Sequence, residues 1–414
     1  MKVLIMAGGK GTRISSIASD IPKPMVPING KPVLWYEIDC LKRQGYKDII
    51  ITISHLGQII MNYFGDGRSI GVNIEYFYEI VPLGNAGALF QLKEKLTDDF
   101  LLLNADSLFD IDINRFVAFH KQHGGLVSIF THPNSHPYDS GLIVTDQNDA
   151  VVQWLSIEDD RPEWFRNKVN AGIHIISPKI LDQKIDTPKI DLDKQLLKPL
   201  VGTGMMFAYN SPEYVMDMGT PKRYKAVCKD YFSGLVVKRN LLNKQKAIFL
   251  DRDGTINRYV GFLRNLEDFE LLPDVADAIK LINVSGYLAI IVTNQPVVAR
   301  GEVTYDGLNE IHKKMETLLA REGAYLDAIY VCPHHPDRGF EGEVTNLKKE
   351  CDCRKPKPGM LFKSAEDFNI DLSQSWMIGD SDNDMKAGYS AGCRCIKIDK
   401  STLLKAVKKV LGVC

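Results

Sequence analysis

Long apolar runs are missing from this chain of 414 residues. Its first strand-like stretch, residues 1–7, falls far short of the roughly 20 apolar residues a membrane span needs. It also lacks the make-up of a secretory signal. The expectation is a cytoplasmic protein with no membrane partner. An excess of one charge is missing too. Lys and Arg number 51 against 52 Asp and Glu, a formal net charge of -1. The basic residues are scattered, so nucleic acid is not an expected partner. Internal repeats, low-complexity stretches and a disordered tail are likewise not seen. What remains, 45% hydrophobic and 25% charged residues, is the make-up of globular domains. The length suggests two or three of them.

Buried strand patterns alternate with helical ones, as in residues 49–53 after a predicted helix over 33–44. That order predicts open α/β sheets, with ligands gathered at the carboxyl ends of the strands. The spacing of motifs places one domain at residues 1–232, a linker at 233–245 and a second domain at 246–414.

The most informative segment runs Ile248-Phe249-Leu250-Asp251-Arg252-Asp253-Gly254-Thr255. An apolar strand delivers two carboxylates into a turn opened by Gly254. Such a pair, with bound magnesium, could act as nucleophile and acid/base in phosphoryl transfer. A calcium loop or a plain polar turn would use similar residues. Three later segments favour the first reading: Thr293-Asn294-Gln295 after an apolar strand, Arg354-Lys355-Pro356, and Gly379-Asp380-Ser381-Asp382-Asn383-Asp384. Together they resemble the four motifs of the haloacid dehalogenase superfamily, in that family's order. The resemblance implies Asp251 as nucleophile and Asp253 as the group that protonates the leaving oxygen and then activates water. It implies Thr293 and Lys355 as phosphoryl contacts and Asn294 as a holder of either loop or substrate. Magnesium would be held by Asp251, Asp253 and Asp380, with Asp384 supporting the loop.

Cys332, His334, Cys351 and Cys353 supply three thiols and an imidazole, a set suited to closed, structural zinc. They flank a polar loop without apolar periodicity, which a metal clamp would order. A disulfide is the alternative, disfavoured in a cytosolic chain, and His335 is a competing ligand. The other cysteines, Cys40, Cys228, Cys393, Cys395 and Cys414, are expected to be buried or inert. The Cys-x-His and Cys-x-Cys pairs before Arg354-Lys355-Pro356 resemble the heptose 1,7-bisphosphate 7-phosphatases and, less closely, the histidinol phosphatases. The family pattern favours His334, and it implies that Arg354 grips a second, non-reacting phosphate. Pro296-Val297 after Gln295, and Ser381 in place of a lysine, depart from the pattern at substrate contacts.

Near the start, a short strand meets Gly8-Gly9-Lys10-Gly11-Thr12-Arg13, followed by Pro22-Lys23-Pro24. Glycines allow backbone amides to approach phosphates, and Arg13 and Lys23 add positive charge. The spacing fits neither the Rossmann fingerprint nor the P-loop. It resembles the sugar-1-phosphate nucleotidyltransferases. Pro82-Leu83-Gly84-Asn85, Asn104-Ala105-Asp106, Asn170-Ala171-Gly172 and Asp217-Met218-Gly219 match later landmarks of that family. The resemblance implies that Gly8, Gly9, Gly11, Thr12 and Gly84 cradle the nucleotide. Asn104 would bind substrate, Asn170 and Gly172 would face the sugar, and Asp106 and Asp217 would hold magnesium. Arg13 would stabilise leaving pyrophosphate, and Lys23 would steady the reacting phosphates. Ala105 in place of glycine, and Ser156-Ile157 in place of a Glu-Lys pair, depart from the pattern.

The expected fold is therefore α/β in both halves. A Rossmann-like nucleotidyltransferase domain with a mixed sheet precedes a Rossmannoid haloacid dehalogenase-like domain with a zinc loop. A 7-phosphatase beside a sugar-1-phosphate nucleotidyltransferase resembles two consecutive steps of GDP-heptose synthesis. The first half is most similar to heptose 1-phosphate guanylyltransferases. Expected partners are nucleoside triphosphates and sugar phosphates, and a homo-oligomer is compatible with the sequence. Rival readings are the same chemistry on mannose or glucose 1-phosphate, a histidinol phosphatase fused to a transferase, and a non-catalytic scaffold.

Overall fold

The structure is a computed structural model of the chain, and it describes residues 1–8, 20–185, 187, 189–398 and 402–413. The chain forms two compact units. The first comprises 1–132, 141–155 and 170–240, and the second comprises 133–140, 156–169 and 241–414.

In the first unit the strand Val3–Met6 lies at the centre of a mixed sheet. It pairs in parallel with Asp48–Ile53 on one side and Phe100–Asn104 on the other. Asn73–Tyr78 adds a parallel strand beyond Asp48–Ile53, while Val169–Ile176 runs antiparallel to Phe100–Asn104. Successive residues feed opposite faces: Val3 and Ile5 enter one hydrophobic cluster, Leu4 the other. A strand buried on both faces must read as a continuous apolar run, and Val3-Leu4-Ile5 does. After Val3–Met6 the chain lays Asp48–Ile53 and Asn73–Tyr78 on one side of it and then crosses to Phe100–Asn104 on the other. The crevice at the carboxyl end of Val3–Met6 is therefore the switch point where such folds bind ligands.

The second unit has a five-stranded parallel sheet in the order Ala328–Cys332, Tyr287–Asn294, Lys246–Leu250, Trp376–Gly379, Arg394–Lys397. Ile248 and Leu250 pack on one face, Ala247 and Phe249 on the other. Here the reversal lies between Lys246–Leu250 and Trp376–Gly379. Those two strands end at Asp251 and Asp380.

Residues 233–245, expected as a linker, contain the helix Leu235–Lys238. Leu235 and Val236 bury in a cluster of the first unit, so that part of the stretch is domain core. No described helix is long and apolar enough to cross a membrane.

Candidate active sites

At the switch point of the first unit lies a cleft of about 740 Å³, lined by Gly8, Lys23, Gly84, Asn104 and Asp106 among others. Strand pairing brings the two expected metal acids side by side. Asp217 sits opposite Ser107 in an antiparallel ladder, and the Met218 amide donates to Asp106 O at 3.0 Å. Each acid already faces a cation. Lys23 donates to Asp106 Oδ2. Arg223 donates to both Asp217 oxygens, at 2.8 and 2.9 Å. Arg223 owes its place to the start of the helix Pro221–Phe232, where Thr220 caps by accepting from the Arg223 amide at 3.2 Å. Proline in the first turn and a threonine cap fix that entry.

The loop expected to meet the nucleobase is tied down by backbone. Ile190 donates to Leu83 O at 2.8 Å, and Ala86 donates to Ile190 O at 3.0 Å. Gly84 has φ of +81°, and a Cβ there would lie 2.3 Å from Ile190 O, so only glycine fits. The Gly172 amide donates to Asn170 Oδ1 at 3.0 Å, and a Cβ at Gly172 would lie 2.5 Å from Asn104 Nδ2, so this turn packs behind Asn104, which lines the cleft. Gly9, Gly11, Thr12 and Arg13 lie outside the described residues. Sequence reasoning missed Arg223, along with Glu79, which also lines the cleft.

The second cleft, about 320 Å³, opens over the carboxyl ends of the parallel strands. Lys246–Leu250 and Trp376–Gly379 are in register, and the Asp251 amide donates to Ile378 O at 3.0 Å. Asp251 and Asp380 thus leave neighbouring strands side by side. One carboxylate oxygen each from Asp251, Asp380 and Asp384 fall within 4.8 Å of one another, a spacing that fits a small octahedral cation. The turn makes room for them: a Cβ at Gly254, whose φ is +84°, would lie 2.0 Å from Asp380 Oδ2. The Asp253 side chain is not in that group. It turns toward Arg252, Asn257 and Gln295.

Lys355 is 3% exposed and donates to Asp251 at 2.7 Å and Asp384 at 2.5 Å. Burial pushes the Asp251 carboxyl up to about 7, with Lys355 opposing the shift. Burial also raises Asp380. Removal from water disfavours the charged form of each acid, and a bound cation would restore it. Asp384 is aimed by a capping box at the helix Asp382–Ser390, accepting from Ser381 N and Oγ at 3.0 and 2.6 Å. Ser381, which stands where a lysine was expected, is that cap. Asn294 uses both ends of its carboxamide on the Lys355 backbone, each at 3.0 Å, so it holds the loop. Thr293 lines the cleft and accepts from Gln295 Nε2 at 2.9 Å.

Cys332, His334, Cys351 and Cys353 converge, as their spacing suggests. Sulfur–sulfur distances are 3.1 to 3.5 Å, and His334 Nδ1 lies 3.2 and 3.8 Å from two of the sulfurs. A tetrahedral ion bound at about 2.3 Å by sulfur would set such edges at about 3.8 Å, so a modest expansion suits the set. His335 instead lies near Arg300 Nη2, at 3.4 Å. Arg354 lines the phosphatase cleft and donates to His334 O at 3.2 Å, which couples it to the cluster. Cys40 and Cys393 are buried thiols, Cys228 and Cys395 are partly buried, and Cys414 lies outside the described residues.

The family profile described as Nucleotidyl transferase matches residues 2–233, and one described as HAD-hydrolase-like matches residues 352–402. A protein of Oryza sativa subsp. japonica described as a mannose-1-phosphate guanylyltransferase is 31% identical over 252 residues, covering 59% of this chain. The chain spans 66% of that relative's length, just under two thirds. The D-glycero-beta-D-manno-heptose-1,7-bisphosphate 7-phosphatase of Haemophilus influenzae is 40% identical over 167 residues, 40% of this chain and 85% of the relative. A Bacillus anthracis structure described as a glucose-1-phosphate thymidylyltransferase superposes with a TM-score of 0.50 at 20% identity, covering 56% of this chain and 96% of that one. That last likeness speaks to fold alone. The chain therefore belongs to the nucleotidyl transferase family through its first half, to which a phosphatase of the haloacid dehalogenase class is fused as the second enzyme.

Proposed function

We propose that this chain removes the 7-phosphate of D-glycero-D-manno-heptose 1,7-bisphosphate and then transfers GMP from GTP to the heptose 1-phosphate. The observation carrying the reading is the fusion itself. The phosphatase half is 40% identical to a heptose bisphosphate 7-phosphatase, and its product would be the kind of sugar 1-phosphate that the other half consumes. Guanine is favoured over other bases by the similarity to a guanylyltransferase.

In the phosphatase cleft, an Asp251 oxygen attacks the phosphorus of the 7-phosphate and the C7 oxygen leaves, taking a proton from Asp253. Asp253, now a carboxylate, removes a proton from water, which attacks the aspartyl-phosphate and releases inorganic phosphate. Lys355 and Thr293 offset the phosphoryl charge. Arg354 meets the remaining phosphate, because guanidinium presents a rigid bidentate fork. Magnesium at Asp251 and Asp380, when bound, would add positive charge to the transferring group.

In the transferase cleft, an oxygen of the sugar 1-phosphate attacks the alpha-phosphorus of the triphosphate and pyrophosphate leaves. The protein positions and neutralises, with no covalent intermediate. Asp106 and Asp217 would hold magnesium, which would supply positive charge to the reacting phosphates. Lys23, which pairs with Asp106 in this structure, and Arg13 act on the phosphates. Cys332, His334, Cys351 and Cys353 would hold zinc, which would order the loop that carries Arg354. We place the protein in the cytoplasm.

The test is mass spectrometry of the products from each anomer of the heptose 1,7-bisphosphate with each of the four common nucleoside triphosphates. GDP-heptose and phosphate from one anomer are expected. A mannose or glucose nucleotide formed faster from the corresponding 1-phosphate would overturn the sugar. Turnover of histidinol phosphate without heptose activity would overturn the phosphatase substrate.

A further inference from the structure

Arg252 stands between the two motif acids, and its side chain is fully buried. A guanidinium out of water is costly unless its donors are met. Its partners are specific. Nε lies 3.2 Å from Asp253 Oδ1, and Nη2 lies 3.0 and 2.8 Å from Asp253 Oδ1 and Oδ2. Nη1 lies 3.3 Å from His312 Nε2. The fork thus grips Asp253 on one side and rests on the imidazole on the other. Asn257 and Gln295 add donors to Asp253 at 3.0 and 2.8 Å.

His312 is set to receive that contact. It is buried on the helix Tyr305–Arg321, and burial, then Arg252 and Arg166, holds its pKa well below the ordinary histidine value. A neutral ring offers one nitrogen as an acceptor. On the same helix face, Asn309 and Glu316 flank His312, and both contact Arg166 within the same compact unit. Residues three and four apart share a face, so Arg166 is fixed on the side of the helix that carries His312, where its charge adds to that of Arg252.

We infer that Arg252, backed by His312, is the positioning residue that fixes the Asp253 carboxyl for proton exchange with the leaving oxygen and with water. Arg252 is buried and does not line the cleft, so it acts through Asp253 and leaves substrate binding alone. The inference rests on the acid/base role proposed for Asp253.

The leaving group separates this role from general damage. A sugar alkoxide needs a proton to depart, whereas p-nitrophenolate does not. Arg252→Met should therefore form the aspartyl-phosphate from p-nitrophenyl phosphate at a near wild-type rate. The result is a burst of about one p-nitrophenolate per site, followed by slow turnover while water activation is impaired. With the heptose 1,7-bisphosphate, kcat should fall about 100-fold with KM within about threefold, the scale of general acid catalysis. Arg252→Lys, which keeps the charge and loses the fork, should recover part of kcat. His312→Phe should reproduce the same split more weakly, and His312→Gln, which keeps an acceptor, should recover it. If Arg252→Met does not fold, the His312 pair decides.

Equal losses with both substrates, including loss of the burst, or wild-type kcat in the folded variants, would overturn the inference. Asp253→Asn is measured in parallel. If it too fails to separate the substrates, the reading of Asp253 falls. If it separates them and the Arg252 and His312 variants do not, only the positioning role falls.

Discussion

The two clefts solve phosphate chemistry differently. In the phosphatase half the carboxylate proposed to react belongs to the protein, and a lysine is already in contact with it. Asp251 is buried against Lys355, which also holds Asp384. In the transferase half both reacting groups belong to substrates, and the larger cleft offers acids already matched by Lys23 and Arg223. A covalent catalyst depends on one atom, whereas a positioning catalyst spreads its effect over several charges. The clefts should therefore respond differently to single substitutions.

The largest effect should follow Asp251→Asn. Phosphatase turnover should fall by about 10³-fold or more, as when a nucleophile is removed, while transfer to a supplied sugar 1-phosphate stays within about twofold. Steady-state assays of both reactions on one preparation check this, and a joint collapse would erase the contrast. Next come Asp106→Asn and Asp217→Asn, each expected to slow nucleotidyl transfer by about 10²-fold. Groups acting on one ion are not additive, so the double variant should resemble the worse single one. Multiplying losses would mean separate roles.

Cys351→Ser should act at one remove. Bound zinc measured by elemental analysis should drop, and phosphatase activity should fall about 10- to 100-fold, the scale of support around a site. Transfer should be untouched. Wild-type protein that is fully active without zinc would break this link.

The smallest effect concerns acid stability, to which one buried histidine in each unit contributes. His174 is buried, and burial lowers its pKa to about 4. His312 is held well below the ordinary value by burial, Arg252 and Arg166. An unfolded histidine titrates near about 6.5, so below that pH the unfolded chain binds protons the folded one refuses. Each ring's contribution is then full above about 6.5 and declines as pH falls, by at most about 1.4 kcal/mol per pH unit, while in the second unit the Asp251 carboxyl, raised to about 7, opposes that slope. Urea unfolding between pH 7.5 and 5 checks the slope, and His174→Leu should flatten it for the first unit.

The acids at strand ends, the Cys/His set and the α/β alternation were all legible, because each is a local pattern with a chemical reason. Groups whose role depends on a distant partner were not. Arg223 reads as one more surface cation until the helix cap aims it at Asp217. His312 sits in an amphipathic helix as any buried residue would, and only tertiary packing sets it beside Arg252. Segments 133–140 and 156–169 precede the expected boundary by many residues yet join the second unit. Nothing in their local composition reports that. The residues Ser233-Gly234 suggested a linker, but Leu235 and Val236 beyond them are core.

Two separate sites working in sequence can be tested directly by one measurement. Heptose 1,7-bisphosphate and GTP are given to the wild-type chain and to Asp251→Asn, and products are followed by mass spectrometry over time. Phosphate release ahead of GDP-heptose is expected in the wild type. The variant should make no GDP-heptose from the bisphosphate, and normal GDP-heptose when it receives heptose 1-phosphate. A variant that still makes GDP-heptose from the bisphosphate, or fails with the 1-phosphate, would contradict two separate sites working in sequence.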